Sequence, residues 1–293
     1  MQVQTRIQLA LEAAVRPGDV AGSPPLLRAA IRHAVFPGGA RIRPQLCLAV
    51  AQACDEDDPR LSDAAAVALE LLHCASLVHD DLPCFDDAPT RRGHASVHAA
   101  FGERLAVLAG DALIVLAFQA LAGGAVASPA RLAPLVVTVA KGVGMPFGIV
   151  AGQAWECEPR VVLSDYQRAK TGALFAAATM AGAQAAGADA QPWRAFGEWL
   201  GEAYQVADDV RDVMADPQII GKPVGRDHAL GRPSTARENG LVESIERFDL
   251  LVQRASDAVP DCRGAAGLRG LVRHEAERLV PRAWLARSAL VAA

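Results

Sequence analysis

Residues 70–93 read ELLHCASLVHDDLPCFDDAPTRRG. The stretch begins as an apolar helix and ends in a burst of acid followed by Arg91 and Arg92. Residues three and four apart share a helix face, so Glu70, His73, Leu77, Asp80 and Asp81 form one stripe. Asp86 and Asp87 follow Pro83, where the helix ends or kinks. Unit charges about 4 Å apart interact by roughly 4 kcal/mol at an effective dielectric of 20. Four carboxylates at the end of an apolar helix therefore call for a cation, and hard oxygen ligands suit Mg²⁺.

A second acidic pattern lies in FGEWLGEAYQVADDVRD. Gln205, Asp208, Asp209 and Asp212 fall at i, i+3, i+4 and i+7, one helical face with three carboxylates and an amide. Taken alone this is also how an exposed acidic face reads, but Val206, Ala207, Val210 and Val213 flank it with apolar residues. The loop GKPVGRDHALGRP follows, with Lys222, Arg226 and Arg232. Basic groups beside an acidic metal face suit a bridging diphosphate. Upstream, Gly38 and Gly39 stand beside Arg41 and Arg43, with Pro44 placed to open a helix. That arrangement makes an anion seat or, equally, a plain turn with solvated arginines.

Composition bounds the rest. The chain has 293 residues, 52% hydrophobic and only 5% aromatic. Much of that is Ala and Leu, strong helix formers, so an all-α protein is expected. The net charge of −4 and the lack of a long basic stripe exclude a nucleic-acid partner. Six cysteines, at 47, 54, 74, 84, 157 and 262, include no CxxC pair and read as buried free thiols in a reducing cytoplasm. The N-terminus lacks the apolar core and cleavage site of a signal peptide. The most apolar window, Leu105–Gly123, holds Asp111 and Gln119, so a buried core helix is expected there rather than a membrane span. No linker is long enough to split the chain, which predicts a single domain over 1–293.

Along the chain, a first amphipathic helix ends near Pro17 and Gly18, and Ser23 before Pro24 and Pro25 predicts a capped start. Asp55–Pro59 reads as an exposed acidic loop, with Ser62 or Asp63 capping the central helix. Arg131–Val143 reads as another helix. Gly144, Gly148 and Gly152 follow, implying a bend or a close helix approach before Gln153 and Glu156. Lys170 and Thr171 lie on a helix with a small-residue face, where a lone lysine is usually solvated.

Together these motifs resemble the trans-isoprenyl diphosphate synthases, the polyprenyl synthetase family, over about residues 25–240. DDLPCFD at Asp80–Asp86 with RRG at Arg91–Gly93, and DDVRD at Asp208–Asp212, match its two Asp-rich motifs. GG-x-R-x-RP at Gly38–Pro44, GQ at Gly152–Gln153, KT at Lys170–Thr171 and GKPVGRD at Gly221–Asp227 match in the family's order. The resemblance implies an orthogonal bundle of roughly ten or more helices around a central cavity, the isoprenoid synthase fold, usually a homodimer. It implies that Asp80, Asp81, Asp86, Asp208, Asp209 and Asp212 hold three Mg²⁺ ions on an allylic diphosphate, with Arg91, Lys170 and Lys222 adding charge. Isopentenyl diphosphate is expected on Arg43, His73 and Arg92, with Arg41, Gln153, Thr171, Gln205 and Arg232 as further substrate contacts. The implied reaction condenses isopentenyl diphosphate with dimethylallyl, geranyl or farnesyl diphosphate.

Departures from the pattern are informative. Ala40 stands where the family usually has lysine, and Arg41 is the one candidate to compensate. Glu156 replaces a common Asp, Tyr204 a common Phe and Arg232 a common Lys. The alanine, with a GQAWE-like stretch, is shared with bacterial geranylgeranyl diphosphate synthases of carotenoid and bacteriochlorophyll pathways. Ser76 and Ala75, four and five residues before Asp80, are small. They let a growing tail pass at least one helical turn, about 5.4 Å, deeper along the helix. With the insert Pro83-Cys84 this predicts a C20 product, with Leu72 a candidate floor. The alternatives are a C15 or longer-chain synthase, or a non-catalytic partner subunit, a type that typically loses one Asp cluster.

Overall fold

In a chain so rich in Ala and Leu, backbone polarity is most cheaply satisfied within helices, and helices are what forms. The computed structural model describes residues 2–18, 20–36, 38–214 and 240–281, the side chains at 164 and 212–214 excepted. Among the described residues the only strands are the two-residue β1 (Thr90–Arg91) and β2 (His94–Ala95), which pair antiparallel. The chain divides into two compact units, Met1–Val139 with Ala181–Asp189, and Ala140–Met180 with Ala190–Ala293.

The first unit holds α1 (Val3–Val15), α2 (Pro25–Val35), α3 (Ile42–Ala53), α4 (Pro59–Asp80), α5 (Val97–Phe101) and α6 (Glu103–Gly124). Helix α4 is its axis. Leu61, Leu69, Leu71 and Leu72 are fully buried, and α1, α3 and α6 pack around it. Its cap is Asp58, whose carboxylate accepts from the Leu61 amide at 3.2 Å and from the Ser128 hydroxyl at 2.8 Å. The expectation that Ser62 or Asp63 caps α4 is therefore corrected. The acidic loop exposes Asp55, Asp57 and Pro59 as expected, but Asp58 is buried, Asp57 pairs with Arg131, and Glu56 pairs with Arg6 at 2.7 Å. Likewise α2 starts on Pro24 without a side-chain cap, one residue after Ser23.

Helix α6 corrects the expectation of a buried core helix at 105–123. It buries Ala106, Ala109, Gly110, Leu113, Ala117 and Leu121 but exposes Val107, Leu108 and Val115. Both α4 and α6 are long and apolar enough to cross a membrane by length and composition. For α4 the reason is burial inside the unit. The cysteines also differ from expectation. All six are free, but only Cys47 and Cys74 are buried, whereas Cys84 and Cys157 are exposed.

The second unit contains α8 (Ile149–Ala154), α9 (Leu163–Gln167), a π-helical turn (Arg168–Gly172), α11 (Arg194–Met214), α12 (Leu241–Asp257) and α13 (Ala265–Leu279). Helices α7 (Leu132–Val143) and α10 (Ala173–Ala185) span the unit boundaries. Val206, Ala207 and Val210 of α11 pack on Ile245, Phe248 and Leu251 of α12, the unit's core. Of the apolar residues flanking the second acidic motif, Val206, Ala207 and Val210 are thus buried, as their pattern required.

Removing the Asp58 carboxylate leaves a helix terminus and the Ser128 hydroxyl unanswered. Asp58→Ala is expected to cost about 1–2 kcal/mol and to lower Tm by roughly 2–6 °C in thermal unfolding. Ser62→Ala and Asp63→Ala leave the cap in place; an equal Tm loss in Ser62→Ala would contradict the assignment.

Candidate functional site

In the first unit, α4 ends where its apolar run meets Asp80 and Asp81. The chain then curls back over the helix end, because Asp86 N–H donates to the Asp80 carbonyl at 2.9 Å and Ala88 N–H to the Asp81 carbonyl at 3.1 Å. That turn brings Asp86 to Asp80, and all three carboxyls are buried. Arg91 of β1 donates Nε to Asp81 Oδ1 at 2.9 Å and adds a second bond from the same guanidinium. Burial raises the Asp81 pKa, and Asp80 and Asp86 push it the same way against Arg91. Three buried carboxylates thus stand beside the Arg91 guanidinium. Such a set of oxygen donors fits a hard divalent cation such as Mg²⁺.

Two turns earlier on α4 lies a basic group. Arg43 Nη1 and His73 Nε2 are 3.3 Å apart. Arginine can only donate, so His73 Nε2 accepts and the ring is neutral, its proton on Nδ1. Its pKa agrees, held well below the ordinary value by burial and then by Arg43, Arg92, Arg91 and Arg41. Arg92 donates to the Gly38 carbonyl. A Cβ at Gly39 would press to 2.8 Å on the Arg92 guanidinium, so Gly38 and Gly39, both at positive φ, let that side chain lie on the loop. Arg41 does not reach outward beside Ala40. It adopts a left-handed backbone, turns inward, pairs with the buried Glu70 and donates to the Val35 carbonyl. Further along the same helix Leu72 and Ala75 are buried, and the half-buried Ser76 bonds its hydroxyl to the His73 carbonyl at 2.9 Å.

In the second unit the motif residues converge around the π-helical turn. Thr171 donates to Gln205 Oε1 at 2.6 Å, and Gln205 Nε2 donates to Asp209 Oδ1 at 3.0 Å. Gln167 Nε2 reaches the other oxygen, Asp209 Oδ2, at 3.3 Å. Asp209 is therefore a buried carboxylate clamped by two neutral amides, while Asp208 on the same helix is exposed. Lys170 pairs with Glu156, and Gln153 is half-buried on α8. Tyr204, in place of a common Phe, has its hydroxyl satisfied by Glu275 and Arg278, each at 3.0 Å. The side chain of Asp212, with Lys222 and Arg232, lies outside the described residues.

Sequence reasoning missed Gln167, Tyr166 and the pairing of Glu156. The i, i+4 spacing of Gln167 and Thr171 was the signal available, since both present polar groups to one side of a helix otherwise rich in alanine.

The family model described as Polyprenyl synthetase matches residues 24–257. This chain belongs to the polyprenyl synthetase family. It is similar to a geranylgeranyl diphosphate synthase of Cereibacter sphaeroides, 52% identical over 281 residues, 96% of this chain and 98% of the relative. A geranylgeranyl diphosphate synthase of Rhodobacter capsulatus is 46% identical over 280 residues, 96% and 97% of the two chains. Among solved structures, a Helicobacter pylori geranyltransferase complexed with magnesium and isoprenyl diphosphate superposes with a TM-score of 0.77. It is 27% identical and covers 94% of this chain and 97% of its own. The fold is thus the helical one shared by this family of synthases.

The depressed His73 pKa has a sign. Between its folded and unfolded pKa the unfolded chain binds the extra proton, so stability falls as pH drops below about 6.5. Acidifying from pH 7.5 to 5.5 is expected to destabilise the wild type more than His73→Gln, by up to about 1.4 kcal/mol per pH unit. Parallel Tm-against-pH curves would contradict the neutral imidazole.

Proposed function

We propose that this protein condenses isopentenyl diphosphate with dimethylallyl, geranyl and farnesyl diphosphate to make geranylgeranyl diphosphate. The observation that carries the reading is the buried triad Asp80, Asp81 and Asp86, two turns along α4 from the Arg43–His73–Arg92 group. The C-terminal end of that helix suits a metal-borne diphosphate, and the position two turns earlier a metal-free one. The C20 product rests on the two near-full-length relatives named above and on the small Ala75 and Ser76.

In this reading Asp80, Asp81, Asp86, Asp208, Asp209 and Asp212 hold three Mg²⁺ ions. Bound there, Mg²⁺ supplies charge that stabilises the departing diphosphate. Arg91, Lys170 and Lys222 add positive charge to the same leaving group. Arg43, Arg92 and neutral His73 seat isopentenyl diphosphate, with Gln153 and Arg232 as further contacts. Thr171 and Gln205 act by orienting Asp209. Arg41 serves the seat from beneath through Glu70 rather than replacing the lysine absent at position 40. The allylic C–O bond breaks, the isopentenyl double bond forms the new C–C bond, and the released diphosphate takes the proton lost from the adjacent carbon. Apolar side chains keep water from the allylic cation.

The whole chain, 1–293, acts as one synthase domain. The exposed apolar face of α6, with Val107, Leu108 and Val115, supports a homodimer. Six free cysteines support a cytoplasmic location, and the resemblance supports a role in carotenoid synthesis.

Purified protein with Mg²⁺, isopentenyl diphosphate and each allylic starter is expected to give a C20 product by chromatography. A C15 or longer product would reassign the chain length, and no product would favour a non-catalytic partner subunit. Asp80→Ala and Asp209→Ala are each expected to lower kcat by at least about 100-fold with an unchanged far-UV spectrum. Ala75→Phe is expected to shorten the product to C15. Ala40→Lys is expected to lower the KM for isopentenyl diphosphate roughly three- to tenfold, leaving the allylic KM unchanged.

A further inference from the structure

We propose that Glu156 and Tyr166 are positioning residues that aim the ammonium of Lys170 at the allylic diphosphate. The inference rests on the reading of Lys170 as a diphosphate-binding group. A lysine is a point charge on a flexible four-carbon stem, so its aim must come from its surroundings.

Here the surroundings act at both ends of the stem. At the base, Lys170 belongs to the π-helical turn Arg168–Gly172, a local irregularity of the kind concentrated at functional sites. Helix α8 presses directly on that turn. A Cβ on Gly152 would overlap the Lys170 N and Cα and lie 2.8 Å from its Cβ. The glycine of the GQ motif is therefore what lets α8 rest on the backbone of the KT motif. At the tip, the ammonium lies 5.6 Å from the centre of the Tyr166 ring and pairs with Glu156 Oε1. The same Oε1 accepts the Tyr166 hydroxyl at 2.6 Å.

Two donors on one oxygen have two consequences. The carboxylate is fixed in plane and direction, because Tyr166 is buried and its hydroxyl has little freedom. Each donor also holds the oxygen less tightly than a single one would, so a phosphate oxygen can compete for the ammonium. Glu156 stands where the family commonly has Asp, and its side chain is one methylene longer. The tyrosine hydroxyl restrains that extra length. A half-buried ion pair of this kind contributes little to stability, so its use lies in orientation.

The test is a mutant cycle with Glu156→Gln, Glu156→Asp and Tyr166→Phe, each in the wild type and in Lys170→Gln. Glu156→Gln is expected to raise the KM for geranyl diphosphate about tenfold, and Tyr166→Phe about threefold, with the isopentenyl diphosphate KM within about twofold of wild type. Glu156→Asp restores part of the loss. In the Lys170→Gln background both effects shrink below about twofold, the signature of action through Lys170. Where Lys170→Gln turns over too slowly, calorimetric binding of geranyl diphosphate reads the same cycle. Equal losses in both backgrounds overturn the proposal. So does a joint rise of both KM values with a lowered Tm, which marks a merely structural role, or a Lys170→Gln enzyme with an unaltered geranyl diphosphate KM. A wild type that forms no prenyl product instead overturns the synthase reading itself.

Discussion

A carboxylate taken out of water must be met by positive charge or by hydrogen-bond donors, and the two answers leave different residual fields. This protein uses both. Glu70 is met by Arg41, Glu275 by Arg278, and Glu156 by Lys170. In these pairs the charges cancel. Asp209 is met by two neutral amides, from Gln167 and Gln205. Amides meet these oxygens by hydrogen bonding rather than by an opposite charge, and so orient Asp209. At Asp80, Asp81 and Asp86 three buried acids stand together, with the Arg91 guanidinium on Asp81. In the proposed reading the clustered acids serve a metal, whereas Glu70 and Glu275 hold their basic partners in place.

The Arg41–Glu70 pair illustrates the second kind. A buried ion pair is weak evidence for stability, because desolvation offsets most of the attraction. Its effect here is geometric and electrostatic. Glu70 also lies 3.9 Å from Arg92, and it tempers the repulsion among Arg41, Arg43 and Arg92 while no anion is present. The Glu70 carboxylate lies between Arg41 and Arg92, and in the proposed reading it supports the seat these arginines form. It also removes Arg41 as an outward ligand, which leaves the alanine at position 40 as a real loss of contact.

Much of this was legible in the sequence, and the parts that were not share a cause. Helix content, an end to α4 near Pro83 and a close approach among Gly144, Gly148 and Gly152 followed from propensity, spacing and the cost of glycine in a helix. What failed were statements about single side chains at element ends. Asp58, not Ser62 or Asp63, caps α4, because Pro59 can open a helix and the deciding partner, Ser128, is 70 residues away. Arg41 looked like a free cation because its left-handed backbone and inward turn depend on Glu70, 29 residues on. In the same way α6 is so uniformly apolar that periodicity could not separate its buried face from its exposed one. Gln167 gave only a weak signal, since an amide on a helix is ordinary until Asp209 is seen against it.

The basic and acidic groups of the first unit stand on one rigid element, and that has a geometric consequence. His73 and Asp80 are seven residues apart on α4, close to two full turns, so they share a face about 10 Å apart along the axis. Helix α4 is buried along nearly its whole length, so neither position can drift without disturbing the core. A pair of loops could offer the same side chains but not a fixed interval between them. Joining two diphosphate-bearing chains end to end requires the anionic head of one to be held clear of the reacting carbon of the other. In the proposed reading, a buried helix with a cation seat in its middle and a carboxylate set at its end fulfils that requirement through backbone rise.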